Sequence, residues 1–159
     1  MQVSTEEKDV NLEARKQFVI FQLGEEEYGV SITNSKEIIK PTKITNVPNT
    51  PDYVLGVINL RGQIVPVVDL RKRFNIKGAD TDKQRIITVE VKGNLIGLMV
   101  DGVNEVVWFE ESKIESAPEV DTDIKQEYIA GIGKIDERLI VLIDLEKLLF
   151  EDKEIEASI

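Results

Sequence analysis

Sixty-eight residues after its first apolar run, the chain writes the same pattern again. Phe18, Val19 and Phe21 fall on Ile86, Ile87 and Val89. Tyr28-Gly29-Val30 falls on Ile96-Gly97-Leu98, Ile32 on Val100, and Glu37-Ile38-Ile39 on Glu105-Val106-Val107. A second block recurs at an offset of 75: Tyr53 falls on Tyr128, Gly56 on Gly131, and residues 64–70 on residues 139–145, with Asp69 on Asp144. The change of offset places seven extra residues in the middle loop of the second copy, between Glu110 and Glu127. Two ordered blocks with glycines and acids in register point to an internal duplication.

Each copy reads as strands. Phe18–Leu23, Val54–Leu60, Gln63–Val68, Arg85–Lys92 and Leu95–Val100 are rich in β-branched and aromatic residues. Arg61-Gly62 suits a two-residue hairpin turn. Pro66 cannot donate to a ladder and is expected at an edge or a bulge. After Asp69 and Asp144 the pattern becomes a short helical turn, with each aspartate placed to cap it. About five short strands and a closing turn per copy predict an all-β chain of two pseudo-symmetric five-stranded barrels, since closure hides sheet edges. The expected division is a flexible tail over 1–16, a first barrel over 17–76, a linker over 77–84, a second barrel over 85–150, and a flexible acidic tail over 151–159. Barrels of roughly 65 residues are near the lower limit for independent stability, so the two should lean on each other and leave a groove between them.

Chemistry is scarce in the residue inventory. The sequence contains no cysteine and no histidine, so it offers no disulfide, thiolate metal site or imidazole base. A net charge of -10 disfavours nucleic acid and anionic lipid. No apolar run approaches the ~20 residues that span a bilayer, and residues 1–13 read as no secretory signal. A cytoplasmic location is expected, with no cofactor and no metal. Asp69 and Asp144 are the nearest approach to a catalytic carboxylate pair, but equivalent positions in two copies are more simply equivalent caps. Glu25 to Glu27 reads as a solvated hairpin turn, Gly131-Ile132-Gly133-Lys134 as strand, and the single Trp108 as core or interface. Arg61 at a hairpin tip is either a solvated turn residue or a bidentate partner for a carboxylate.

The residues Phe21 to Val30 followed by Lys36-Glu37-Ile38, the run from Gly56 to Arg71, then Val100-Asp101-Gly102-Val103 and Glu127 to Gly131, resemble the CheW-like domain family of chemotaxis coupling proteins over about residues 17–150. The resemblance implies two barrels of the Src-homology 3 (SH3) type. It implies a non-catalytic adaptor joining the cytoplasmic tips of methyl-accepting chemotaxis receptors to the regulatory domain of the histidine kinase CheA, in arrays associated with the membrane but without insertion into it. It carries receptor contact onto Ser35, Glu37, Ile38, Gly56, Ile58 and Arg61, with Val103 added from the second copy. Ser35 is polar where many relatives carry an apolar residue. Kinase contact falls on the second barrel without assigned residues, and a further array contact on the loop around Glu115 to Val120. The alternatives from other classes are a small-ligand-sensing double barrel and an enzyme using Asp69 or Asp144 as base.

Overall fold

The computed structural model describes residues 15–78, 80–116 and 126–150. Among these residues ten strands and two short α-helices follow in chain order: β1 (Arg15–Leu23), β2 (Glu26–Ser31), β3 (Ser35–Ile39), β4 (Val54–Leu60), β5 (Gln63–Asp69), α1 (Leu70–Phe74), β6 (Arg85–Val91), β7 (Asn94–Val100), β8 (Gly102–Glu110), β9 (Ile129–Ile135), β10 (Arg138–Ile143) and α2 (Leu145–Phe150). Each element of the first half has a counterpart at the offset read from the sequence. The first strand begins at Arg15, two residues inside the stretch expected as a tail.

The strands form two five-stranded sheets, but not one per half. Sheet A has the order β8-β1-β2-β10-β9, and sheet B the order β3-β6-β7-β5-β4. Each half lends its first hairpin to the other half's remaining strands, so the sheets do not follow the division into 17–76 and 85–150. The exchange is reciprocal to the residue. Parallel pairing of β2 with β10 sets Gly29 against Leu142, and that of β7 with β5 sets Gly97 against Val67. The bulge between Ile20 and Phe21, opposite β8, has its twin between β3 and β6. A hairpin with the same apolar pattern satisfies either set of partners, so the duplication alone leaves the choice open.

The barrels are also not closed. Edge strands β3 and β4 of sheet B do not pair; the loop after β3 reaches β4 through one isolated bridge, Thr45 with Val57, and in sheet A the segment after β8 reaches β9 through Glu115 with Ile132. Glycine makes these approaches possible. A Cβ on Gly56 would lie 2.1 Å from the Thr45 carbonyl oxygen, and Gly56 has φ +142°. The curled sheets are SH3-like in architecture, with side chains rather than a continuous ladder filling the seam.

Burial follows the alternation of the strands. One face of sheet A encloses Phe18, Ile20, Phe109, Ile140 and Leu142. The matching face of sheet B encloses Ile58, Val65, Val67, Ile86 and Met99. The outer faces meet in a larger core containing Phe21, Tyr28, Leu70, Phe74, Ile87, Leu98 and Leu148. Tyr28 stacks between Phe21 and Phe74 at 6.1 and 6.2 Å, tying sheet A to α1. Within sheet A, Phe109 lies over Gly133, so the ring fills space that Ile58 fills at the equivalent position of sheet B. The two sheets therefore share one core and depend on each other, as their small size requires. Arg73 of α1 lies between the paired tyrosines of the repeat, 5.1 Å from the Tyr53 ring and 5.0 Å from Tyr128, and donates to the Tyr128 hydroxyl at 3.0 Å.

The two helices start as the sequence suggests. The Asp69 carboxylate accepts from the Arg71 and Lys72 amides at 3.0 and 3.4 Å, and Asp144 accepts from the Lys147 amide at 3.1 Å. The Arg61-Gly62 turn has φ of 52° and 85°, the left-handed pair of a two-residue hairpin. Pro66 is not on an edge strand; β5 lies between β7 and β4, and its ladder to β7 begins at Val67, so the missing N–H falls just outside it. Asp69 is buried beside the Arg71 guanidinium, whereas Asp144 is partly exposed. Asp144→Ala should cost about 1 kcal/mol, and Asp69→Ala about twice that, because it also strips a carboxylate from a buried cation. Urea unfolding of the two variants checks this; equal costs would contradict it.

Candidate functional site

Glu37 lies near the middle of edge strand β3, where a bulge resets the register against β6; its amide donates to the Thr88 hydroxyl at 3.0 Å. Arg61 stands at the tip of the β4–β5 hairpin, held in the left-handed conformation, with the Asn59 side chain accepting from the Gly62 amide at 2.8 Å. Across the seam the two meet. Both terminal nitrogens of Arg61 donate to the Glu37 carboxylate. The bidentate geometry selects the second of the two readings open for Arg61. Contact with Glu37 raises the pKa of the exposed Arg61 guanidinium. Such an exposed pair contributes little to folding, so its chief property is an oriented charge pair at the surface.

The other expected contact residues divide into two groups. Ile38 is 43% exposed on the face that Ile87 contributes to the inter-sheet core. Ser35 is half-buried on the same strand, its hydroxyl donating to the Ser31 carbonyl at 3.1 Å. Its counterpart Val103 pairs with Phe21 in sheet A and packs on the inter-sheet core. These three border the junction of the sheets. Gly56 and Ile58 are buried. Gly56 is buried against the Thr45 backbone, and Ile58 is 1% exposed inside sheet B. Strand alternation turns Ile58 inward and leaves Arg61 out, and both residues shape the hairpin that carries Arg61. Glu115 exchanges backbone hydrogen bonds with Ile132 at 2.9 and 2.8 Å. Val120 lies outside the described residues.

The duplication repeats the charge pair in a different dress. Glu105, the counterpart of Glu37, meets Arg138 at 2.8 Å, and Arg138 also grips Glu27 with two bonds of 2.8 and 2.6 Å. Asn104 adds a donor to Glu27 at 2.9 Å. Glu27 is therefore a paired residue of β2 and not part of a solvated turn. Of this cluster the sequence carried one signal, the register of Glu37 with Glu105; the partner arginine moved from the hairpin tip to the start of β10. The Arg138 bond holds the Glu27 carboxyl below the usual range against the opposing effect of burial, with Asn104 helping. A depressed carboxyl pKa stabilises the fold above the unfolded value and is lost as pH falls through the folded one. Wild type should thus lose more stability than Arg138→Gln between pH 7 and about pH 3, and thermal melts of both across that range check it.

A further buried charge organises the region behind the hairpin. Arg71 of α1 sits with Asp80 at 2.6 Å and Asp101 at 3.2 Å, while Asp101 accepts from the Gly24 amide at 2.7 Å. This ties the β1–β2 turn of sheet A to the β7–β8 corner and the connection before β6. Burial works against the Arg71 charge, and the surrounding carboxylates overcome it, so its pKa is raised. Asp69 and Asp144 are both engaged as helix caps. Among the described residues no cluster of acidic side chains has the makings of a metal site, and no helix is long and apolar enough to cross a membrane.

Comparison with known proteins places these features. The CheW-like domain family model matches residues 17–153. A chemotaxis protein CheW from Bacillus subtilis is 42% identical over 143 residues, spanning 87% of this chain and 88% of the relative. One from Klebsiella aerogenes is 40% identical over 139 residues, spanning 87% and 84%. Among solved structures, the scaffolding protein TtCheW from Thermoanaerobacter tengcongensis superposes with a TM-score of 0.79 at 44% identity, covering 84% of this chain and 87% of that one.

Proposed function

This chain belongs to the CheW-like domain family, and we propose on that footing that it is a non-catalytic adaptor coupling methyl-accepting chemoreceptors to the histidine kinase CheA. The observation that carries this reading is the Glu37–Arg61 pair, fixed at the surface and bordered on its strand by half-exposed Ile38. A helical receptor tip offers apolar side chains and polar groups together. Ile38, Ser35 and the rim near Val103 supply a partly apolar bed for it, and the bidentate pair supplies direction and charge selectivity. Ser35, polar at this place, makes the contact wetter than an aliphatic residue would.

The adaptor performs no reaction. It works by linkage: contact at one face biases the state of a partner held at another. A coupling free energy of about 1–3 kcal/mol suffices for such control. One shared core beneath both sheets suits this role, because the two faces are then parts of one rigid body. The kinase's regulatory domain takes the apolar strands of the second copy, and the loop after Glu115 a further neighbour. Capture in membrane-associated arrays follows from binding to receptors, without insertion of this chain.

The test is reconstitution. Receptor cytoplasmic fragments, kinase and this protein together should give autophosphorylation many-fold above that of any pair. Turnover unchanged by adding the protein would sink the proposal.

A further inference from the structure

The single tryptophan of the chain is half exposed, on an edge strand, where a structural aromatic would be buried. Trp108 lies on β8 with 51% of its surface open, and Val106 is 45% open two residues earlier on the same face. Their neighbour Phe109 faces the other way and fills the interior of sheet A, so the alternation of β8 aims Trp108 outward. The guanidinium of Arg15 stands 5.0 Å from the indole ring. An open cleft of about 530 Å³ runs along one side of Trp108, between Arg15, Lys113, Lys134 and Ile135. A second of about 360 Å³ runs along the other, between Lys16 and the turn of Ser31, Ile32 and Thr33.

We propose that Trp108, with Arg15 stacked on it, is an anchor for an acidic, apolar-faced segment of a partner protein. Three observations fix the chemistry. The chain as a whole carries a charge of -10, yet these two clefts are lined by Arg15, Lys16, Lys113 and Lys134. Lys16 and Lys113 are offset by Glu111 and Glu110, while Arg15 and Lys134 have no ion-pair partner among the described residues. The net local charge therefore favours carboxylates, and nucleic acid is excluded by the acidic remainder. The indole and Val106 give the apolar contact, and tryptophan and arginine are both enriched among binding hot spots. Last, the smaller cleft ends at the turn whose carbonyls of Ser31 and Ile32 accept from Ser35, so the anchor is continuous with the rim proposed above for the receptor. The proposal rests on that reading: the occupant is an acidic stretch of the same helical receptor, lying beyond the part that meets Ser35.

The lone tryptophan is also its own probe. A tryptophan-free receptor cytoplasmic fragment is titrated into the protein while emission wavelength and acrylamide quenching are followed, with binding measured separately by calorimetry. Saturation should shift the emission to the blue and cut the quenching constant at least twofold. Trp108→Ala should weaken the fragment about tenfold or more, and Arg15→Ala less, with the urea midpoint nearly unchanged. Calorimetric binding with unchanged Trp108 emission overturns the anchor and leaves the adaptor reading standing. No binding at all overturns both. A blue shift produced by raising the protein's own concentration would make the occupant a second copy instead. Emission already blue in the free protein, and moved to the red on deleting residues 1–14, would make it the chain's own acidic segment; either result overturns the proposal.

Discussion

Arg61→Glu should abolish receptor-dependent kinase activation while the protein stays folded. Arg61 is 71% exposed as a side chain, and among the described residues its ion pair is with Glu37, so the fold gives up little. For a chain of this size that is a small fall in Tm. The functional loss is larger because the substitution does two things at once. It removes the planar donor fork, and it sets a second carboxylate against Glu37 in place of a pair. Both alter the charge a docking receptor meets, and like charge at an interface costs several kcal/mol. The reciprocal swap, Glu37→Arg with Arg61→Glu, separates two explanations. If the pair only staples the seam between β3 and the β4–β5 hairpin, the swap restores activation. If the receptor reads the polarity, the swap restores the melting temperature and leaves activation absent. The second outcome is the expected one.

Gly56→Ala should be the most damaging small substitution in the described chain. A methyl there lies 2.1 Å from the carbonyl oxygen and 2.7 Å from the carbonyl carbon of Thr45, on a backbone at φ +142° that side chains disfavour. The obstruction is main chain, which has no rotamer to escape into. Relief requires breaking the two 2.8 Å bonds between Thr45 and Val57 that hold the open end of sheet B together. A loss of about 3 kcal/mol or more follows, roughly 6–12 °C in Tm. The counterpart Gly131→Ala meets Ile114 Cγ2 at 2.5 Å and Glu115 oxygen at 3.1 Å without a positive φ. A side chain can turn aside, so that variant should lose about half as much. Urea midpoints of the pair measure this directly, and equal losses would contradict the account of the seam.

Much of the architecture was legible in the sequence, and the duplication carried it. Strands β4, β5, β6 and β7 lie where β-branched runs bounded by glycine turns put them, and the offset of 75 maps β4 onto β9 residue for residue. The caps at Asp69 and Asp144 follow from an acid placed just before a change of period. What could not be read was the exchange of hairpins. Local pattern fixes which residues of β1 and β6 turn inward, but both hairpins present the same face, and the choice between them is made by parallel pairings with β10 and β5 far along the chain. The closure of the barrels was overestimated for a related reason: strand count favours closure, and only the close approach at Gly56 and Gly131 reveals a seam joined by single bridges.

At the candidate site, the family resemblance located β3 and the β4–β5 hairpin, and the structure added the alternation within them. Ile58 turns into sheet B while Arg61, three residues on, reaches Glu37. Arg138 was missed because its partners Glu27 and Glu105 come from β2 and β8, separated from it by 111 and 33 residues. The exposed Trp108 was expected in a core or an interface, and only the outward face of β8 decides for a surface.

The central claim is that one small rigid body holds two different proteins at once. Sedimentation of receptor fragment, labelled kinase and this protein, mixed together and in pairs, measures that directly. The kinase should move with the receptor at high speed only when wild-type protein is present, and should fall back to its own rate when Arg61→Glu replaces it. Kinase that travels with the receptor equally well in the absence of this chain would leave it without the role assigned here.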